Sequence, residues 1–235
     1  EINKLISQVY EAKIHLQKTE MQALQAQINP HFLYNSLSII NWKAIEAGND
    51  EISQVTLALS TYYRTSLNKG ETMTIAANEL RNIEAYLHIQ LVMHDDSFQV
   101  EKQVEEKILS CSVPKLILQP LVENALYHGI KNKRGRGHIW VRGYARDDRA
   151  VFEIRDDGAG MTQEEMEAVQ RKLRGEDRPS DRNGSASKGG FGLFNVAERL
   201  RLNYGGRCSL KFHSIQGEGT TALVCIPLDM EYETV

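Results

Sequence analysis

Near residue 98 the spacing of apolar residues changes from three-four to alternating, and that change divides the chain into a helical part and a mixed part. Upstream, Ile2, Leu5, Val9, Ala12, Leu16, Thr19, Ala23 and Ala26 form a stripe too narrow for a large core, so residues 1–28 are expected to form a coiled-coil helix. Helical patterning resumes through Phe32, Leu33, Leu37 and Ile40 and stops at Gly48-Asn49-Asp50, where helix-stop and helix-start residues meet. A second helix is expected from Ile52 to about Leu67, and a third from about Asn78 to His94. Two helices joined by a short turn make an antiparallel hairpin, and two such hairpins pair into a four-helix bundle.

Beyond Phe98, residues 98–105, 138–146, 150–156, 208–215 and 220–228 read as strands, and 115–128, 162–174 and 192–203 as helices. The fold class is therefore α+β: a dimeric helical bundle over residues 29–97, then a two-layer α/β sandwich with a mixed sheet over 98–235. Residues 175–190 hold almost nothing to bury. Their place directly before a glycine cluster favours a lid over plain disorder.

With 41% hydrophobic and 25% charged residues, the chain has the composition of a globular protein. Its net charge of −3 and scattered basic residues, apart from Lys131 to Arg136, argue against a nucleic-acid partner. Cys111, Cys208 and Cys225 have no metal or redox spacing, and no apolar run reaches the roughly 20 residues that span a bilayer. The chain opens on Glu1 inside a helical pattern, so a missing upstream region is expected.

Three segments carry chemistry. Asp156-Asp157-Gly158-Ala159-Gly160 follows a strand, so a carboxylate sits where the chain leaves the sheet and glycines let a flat ligand approach. Asp156 is placed to accept from an exocyclic amine such as that of adenine, although the pentapeptide alone is equally a plain strand-to-helix turn with an acidic cap. Gly189-Gly190-Phe191-Gly192-Leu193 precedes a helix whose free N–H groups suit a polyphosphate, with Gly190, Gly192 and Leu193 nearest to it. On a third helix Asn124 and His128 are four apart and share a face. An amide oxygen such as that of Asn124 suits Mg²⁺, which takes few protein ligands. Lys131, just past that helix, has the reach for a phosphate.

These segments, in this order, resemble the ATP-binding domain shared by sensor histidine kinases, type II topoisomerases, Hsp90 chaperones and MutL repair proteins. The resemblance implies ATP with Mg²⁺, Asn124 on the metal, Asp156 on adenine beside Gly158 and Gly160, and a mobile lid. The late turn Gly217-Glu218-Gly219-Thr220-Thr221 looks like the last glycine motif of that domain, which puts Thr220 or Thr221 on the adenine side.

Upstream, Gln27-Ile28-Asn29-Pro30-His31-Phe32-Leu33-Tyr34-Asn35 resembles the phosphoacceptor segment of LytS/YesM-type sensor histidine kinases, as Gln119 to Ala125 and Asn195 to Leu200 resemble other parts of that family. That likeness implies a homodimer in which His31 takes the γ-phosphoryl group of ATP and passes it to an aspartate in the receiver domain of a response regulator. It also implies the cytoplasmic portion of a bacterial membrane protein, anchored through an upstream sensor region. A neutral imidazole is a competent nucleophile near pH 7, and Asn35, one turn on, is placed to orient it. His15, His88, His94, His138 and His213 lack such context and read as structural or solvated.

The chain departs from the family pattern in three places. Tyr127 stands where Lys is frequent, Met93 and Ser97 stand where basic residues are frequent, and Phe32 follows His31 where many histidine kinases have a carboxylate. The alternative is an ATP-hydrolysing dimer of the topoisomerase, chaperone or repair type. Such enzymes carry a carboxylate one turn before the metal-binding Asn, where this chain has Pro120, although the neighbouring Glu123 keeps that reading open.

Overall fold

The computed structural model of the chain describes residues 30–67, 71–94, 97–133, 135–174 and 190–228. The stripe over residues 1–28 and the expected lid, except its last residue Gly190, lie outside them.

Helix α1 (Pro30–Glu46) begins on a proline, whose fixed φ and missing N–H suit a first helical position. The chain turns at Gly48, which takes φ +65, a left-handed conformation that favours glycine. Asn49 then caps α2 (Asp50–Ser66) by accepting from the Ile52 N–H at 3.1 Å, and Asp50 and Glu51 put negative charge on its first turn. Across the hairpin, the Ser53 hydroxyl donates to Asn41 Oδ1 at 2.8 Å. Cap and turn lengthen α2 by two residues beyond the Ile52 start read from apolar spacing.

Helix α3 (Ala76–Met93) is buried on two sides. Towards α2, the Asn82 amide donates to the hydroxyls of Thr65 at 2.7 Å and Ser66 at 2.8 Å, and the Tyr62 and Tyr86 rings lie 6.1 Å apart. Its other residues, Leu80, Ile83 and Leu87, join one core with Phe98, Ile108, Ile117 and Val141 of the downstream part. Two strands unexpected from sequence, β1 (Met73–Ile75) and β3 (Ser112–Pro114), pair antiparallel and tie the start of α3 to the downstream part. Three residues are too few to display a period of two.

The main sheet runs β2 (Phe98–Val104), β4 (Gly137–Arg146), β5 (Arg149–Asp156), β7 (Gly219–Pro227), β6 (Ser209–Ile215) in spatial order. Only the β2–β4 pair is parallel, so the sheet is mixed. One face, with Ile139, Val141, Phe152, Ile154, Ala222 and Val224, is buried under α3, α4 (Gln119–Asn124) and α6 (Gly190–Tyr204). Helix α5 (Gln163–Arg174) packs beside α6. The expected helix over 115–128 starts only at Gln119, because Leu116 takes φ +59 and turns its N–H towards the buried carboxylate of Glu79. It then continues as a wider π turn, Ala125–Gly129. Among the described residues no helix is long and apolar enough to cross a membrane.

Candidate functional site

The sheet alternation that buries Ile154 also turns Asp156, the last residue of β5, into the space between sheet and helices. Only 2% of Asp156 is exposed, and Oδ1 accepts from the Gly158 N–H at 2.8 Å. Burial pushes its carboxyl up to about 6, against the opposing bonds from the Gly158 and Thr220 backbone. Asp157 points the other way: Oδ1 accepts from the His138 N–H at 2.7 Å and Oδ2 pairs with Lys133 at 2.8 Å. Partial burial works to raise that carboxyl, but the Lys133 ammonium and the His138 N–H hold it below its ordinary range.

Around Asp156 lies a cleft of about 620 Å³. Its floor is Ile154, Asp156, Thr220 and Ala222 of the sheet, and one wall is Leu121, Asn124, Ala125, His128 and Gly129. Leu193 enters from α6, and Ala159, Gly160, Met161 and Thr162 form the rim. Asn124 ends α4, and its Nδ2 donates to the Pro120 carbonyl at 2.7 Å. That bond fixes the amide through its donor end, leaving Oδ1 as the acceptor end of a side chain that lines the cleft.

Glycines make the floor possible. A Cβ on Gly158 would lie 2.2 Å from the Gly129 carbonyl carbon, and one on Gly129 would lie 2.4 Å from Asp156 Oδ1. Gly158→Ala is therefore expected to destabilise the protein by about 1–3 kcal/mol, as overpacking does. Urea denaturation reads this, and an unchanged midpoint would show that the loop relaxes around the methyl group.

Of the residues singled out from sequence, Asn124, His128, Asp156, Gly160, Leu193 and Thr220 line the cleft together. Gly158 supports Asp156 from behind, while Gly190 begins α6 and Gly192 packs that helix against Pro120. Thr221 is turned away, because it pairs with Arg155 and neighbouring strand residues face opposite sides. Lys131 also lies outside the lining, with its ammonium 3.9 Å over the Tyr127 ring. His31 is exposed on the first turn of α1, with Asn35 Nδ2 at 3.3 Å from its Nδ1.

Two contributors escaped the sequence reading. Gly129 was not singled out, since nothing local shows that a carboxylate will sit against it. Helix α5 supplies a second wall through Glu165, Ala168, Val169 and Lys172. Their i, i+3, i+4, i+7 spacing was the available signal, but it reads equally as an ordinary core stripe.

Residues 19–98 match the family model described as histidine kinase, and residues 113–230 match the one described as histidine kinase-, DNA gyrase B-, and HSP90-like ATPase. The sensor histidine kinase YesM of Bacillus subtilis (strain 168) is 29% identical over 226 residues, covering 96% of this chain and 36% of that protein. Sensor protein LytS of Bacillus cereus is 31% identical over 213 residues, with 90% of this chain and 34% of that protein covered. Sensor histidine kinase YpdA of Escherichia coli (strain K12) is 32% identical over 189 residues, or 80% of this chain and 31% of that protein. The chain thus spans about a third of the length of these curated relatives.

Proposed function

Since the chain belongs to the histidine kinase-, DNA gyrase B-, and HSP90-like ATPase family and its upstream residues match the histidine kinase model, we propose that it is the kinase region of a two-component sensor. In this reading it transfers the γ-phosphoryl group of ATP to His31 and then to an aspartate of a response regulator. The observation that carries the proposal is the pairing of an exposed histidine on the first turn of a helical hairpin with a cleft whose buried carboxylate, amide and glycine backbone suit an adenine nucleotide.

Asp156 accepts from the adenine amine at the cleft floor, while Thr220 and Gly160 border the ring. Asn124 and His128 face the phosphates from the helical wall. The donor set at Asn124, one neutral amide oxygen, fits Mg²⁺, which keeps waters and phosphate oxygens as its other ligands. Asn124 would hold that ion, and its charge, when bound, offsets the negative charge that develops on the phosphates.

At His31, transfer forms a bond from the ring nitrogen Nε2 to the γ-phosphorus and breaks the bond to the β,γ-bridging oxygen, so ADP leaves with the electron pair. Turning the Asn35 amide by half a rotation presents its oxygen to Nδ1. Nδ1 then carries the proton, Nε2 keeps its lone pair, and the Nδ1 proton passes to solvent after transfer.

Glu123 weighs against the hydrolytic alternative. Its Oε1 accepts from Gln119 Nε2 at 2.8 Å, and the same amide reaches the Tyr62 hydroxyl of α2 at 2.8 Å. Its carboxylate is held on the hairpin side of α4, is not part of the cleft lining, and is badly placed to activate a water there.

The homodimer is part of this proposal. Phe32 is 72% exposed and Trp42 62%, and Ile39, Ile45, Ile52 and Leu57 are also exposed. An apolar surface of that kind on a two-helix hairpin suits a second copy in a four-helix bundle. A sensor region upstream, in the membrane, would place this part in the cytoplasm.

Mass spectrometry after incubation with Mg-ATP tests the assignment: acid-labile phosphate should map to His31. Phosphate on another residue, or none, would reject it.

The ionisation of Asp156 adds a pH signature. With its carboxyl at about 6, the ionised form is the stronger acceptor for the adenine amine. Affinity should therefore rise as pH passes through about 6 and level off above it. The nucleotide phosphates titrate nearby, so the measurement is the difference between wild type and Asp156→Asn in calorimetry from pH 5 to 7.5. Parallel pH curves for the two proteins would remove Asp156 from the ring contact. The same shift acts on folding with a defined sign. The folded carboxyl binds its proton more tightly than the unfolded one, so its effect on stability is most favourable below about 3.8 and declines as pH rises to about 6.

A further inference from the structure

Glu79 stands where α3 meets the loop that leads to Asn124. It is 2% exposed, and its carboxylate accepts three consecutive backbone N–H groups, from Leu116 at 2.7 Å, Ile117 at 2.9 Å and Leu118 at 3.2 Å. The left-handed φ of +59 at Leu116 is what makes these donors converge. Burying a carboxylate is unfavourable unless its oxygens are bonded, and a neutral amide would offer one acceptor oxygen where three donors meet.

From the other side, Arg199 of α6 closes the same loop, donating to the carbonyls of Lys115 at 2.7 Å and Leu116 at 3.3 Å. The loop runs directly into α4, where the Pro120 carbonyl accepts the Asn124 amide at 2.7 Å. Hydrogen bonds at both ends of the short backbone from Leu116 to Pro120 thus join α3 to the amide at the cleft. One turn on, and on a neighbouring part of its surface, α3 is bonded to α2 through Asn82, so α3 touches both the histidine-bearing hairpin and the loop that sets Asn124.

We propose that Glu79 is a positioning residue for the nucleotide site: through the Leu116–Leu118 backbone it sets the helix that carries Asn124, and it passes movements of α3 against the hairpin to the phosphate end of the cleft. This rests on the nucleotide-site reading above. It gives the upstream helices a route to the site that does not depend on moving His31.

The test measures autophosphorylation of the full chain against Mg-ATP concentration. Glu79→Gln is expected to raise KM about tenfold, the lower end of what loss of a supporting contact behind a metal ligand does. A merely structural role would lower the active fraction, and so the apparent kcat, at unchanged KM. Because Glu79→Gln risks misfolding, Arg199→Ala, at an exposed position of α6 that bonds the same loop, serves as the second variant and should raise KM in the same direction. An unchanged KM in the folded variants overturns the proposal, and if only Arg199→Ala folds, its KM alone decides. Should wild type show no labelling, the kinase reading fails, and the nucleotide Kd of the same variants by calorimetry still decides the role of Glu79.

Discussion

His31→Gln should abolish acid-labile phosphorylation and leave ATP affinity within about a factor of two of wild type, as expected for a change remote from the nucleotide contacts. Glutamine keeps a polar, helix-compatible side chain at an exposed position, so the loss cannot be attributed to unfolding. The variant removes the only nucleophile proposed for the hairpin and leaves Asp156, Asn124 and the glycine floor as they were. The competing acceptor is His128, which lines the cleft and would lie near the transferred phosphate. Undiminished histidine labelling in His31→Gln would move the chemistry there and end the two-part mechanism.

The second large effect concerns where the chain can be cut. Sequence periodicity placed the division near residue 97, but Leu80, Ile83 and Leu87 belong to the core of the sheet domain, and β1 pairs with β3 of that domain. We propose that the autonomous unit begins near residue 71. Three such side chains contribute about 5–9 kcal/mol by burial, which is comparable with the whole stability of an ordinary domain, about 5–15 kcal/mol. A fragment of residues 71–235 should therefore unfold cooperatively and bind nucleotide, whereas 95–235 should be unfolded or aggregated. Circular dichroism with chemical denaturation distinguishes the two, and a cooperative transition of 95–235 at the same midpoint would restore the boundary at 97.

Helix α3 shows why periodicity alone does not decide that boundary. Its apolar residues follow the same helical spacing as those of the hairpin, and periodicity reports that a face is buried without saying against what. Asn82 bonds to α2 and Glu79 to the Leu116 loop, and both look in sequence like ordinary polar positions on a solvated helix. The start of α4 was lost for a related reason. Leu116 takes a left-handed conformation that its residue type does not advertise, because the carboxylate of Glu79, 37 residues away, makes it favourable.

Local chemistry was read with more success. Gly48 and Asn49 stop one helix and start the next by backbone and cap effects confined to a few residues, so the hairpin was legible before any packing was known. The strand pattern of β5 put Asp156 at a strand end, and Asn124 and His128 on one helix face, because period and phase are local properties. Which of two adjacent threonines faces the cleft was a matter of phase that the sequence left open, and pairing of Thr220 with Asp156 resolved it. Lys131 has the same reach in either case, and its place over Tyr127 outside the cleft follows from side-chain packing. Elements and their exposed nucleophile thus follow from short-range rules written in consecutive residues. The carboxyl of Asp156 at about 6, the closeness of Gly129 to that carboxylate and the double allegiance of α3 depend on groups distant in the chain, whose proximity and lost solvent exist only after folding.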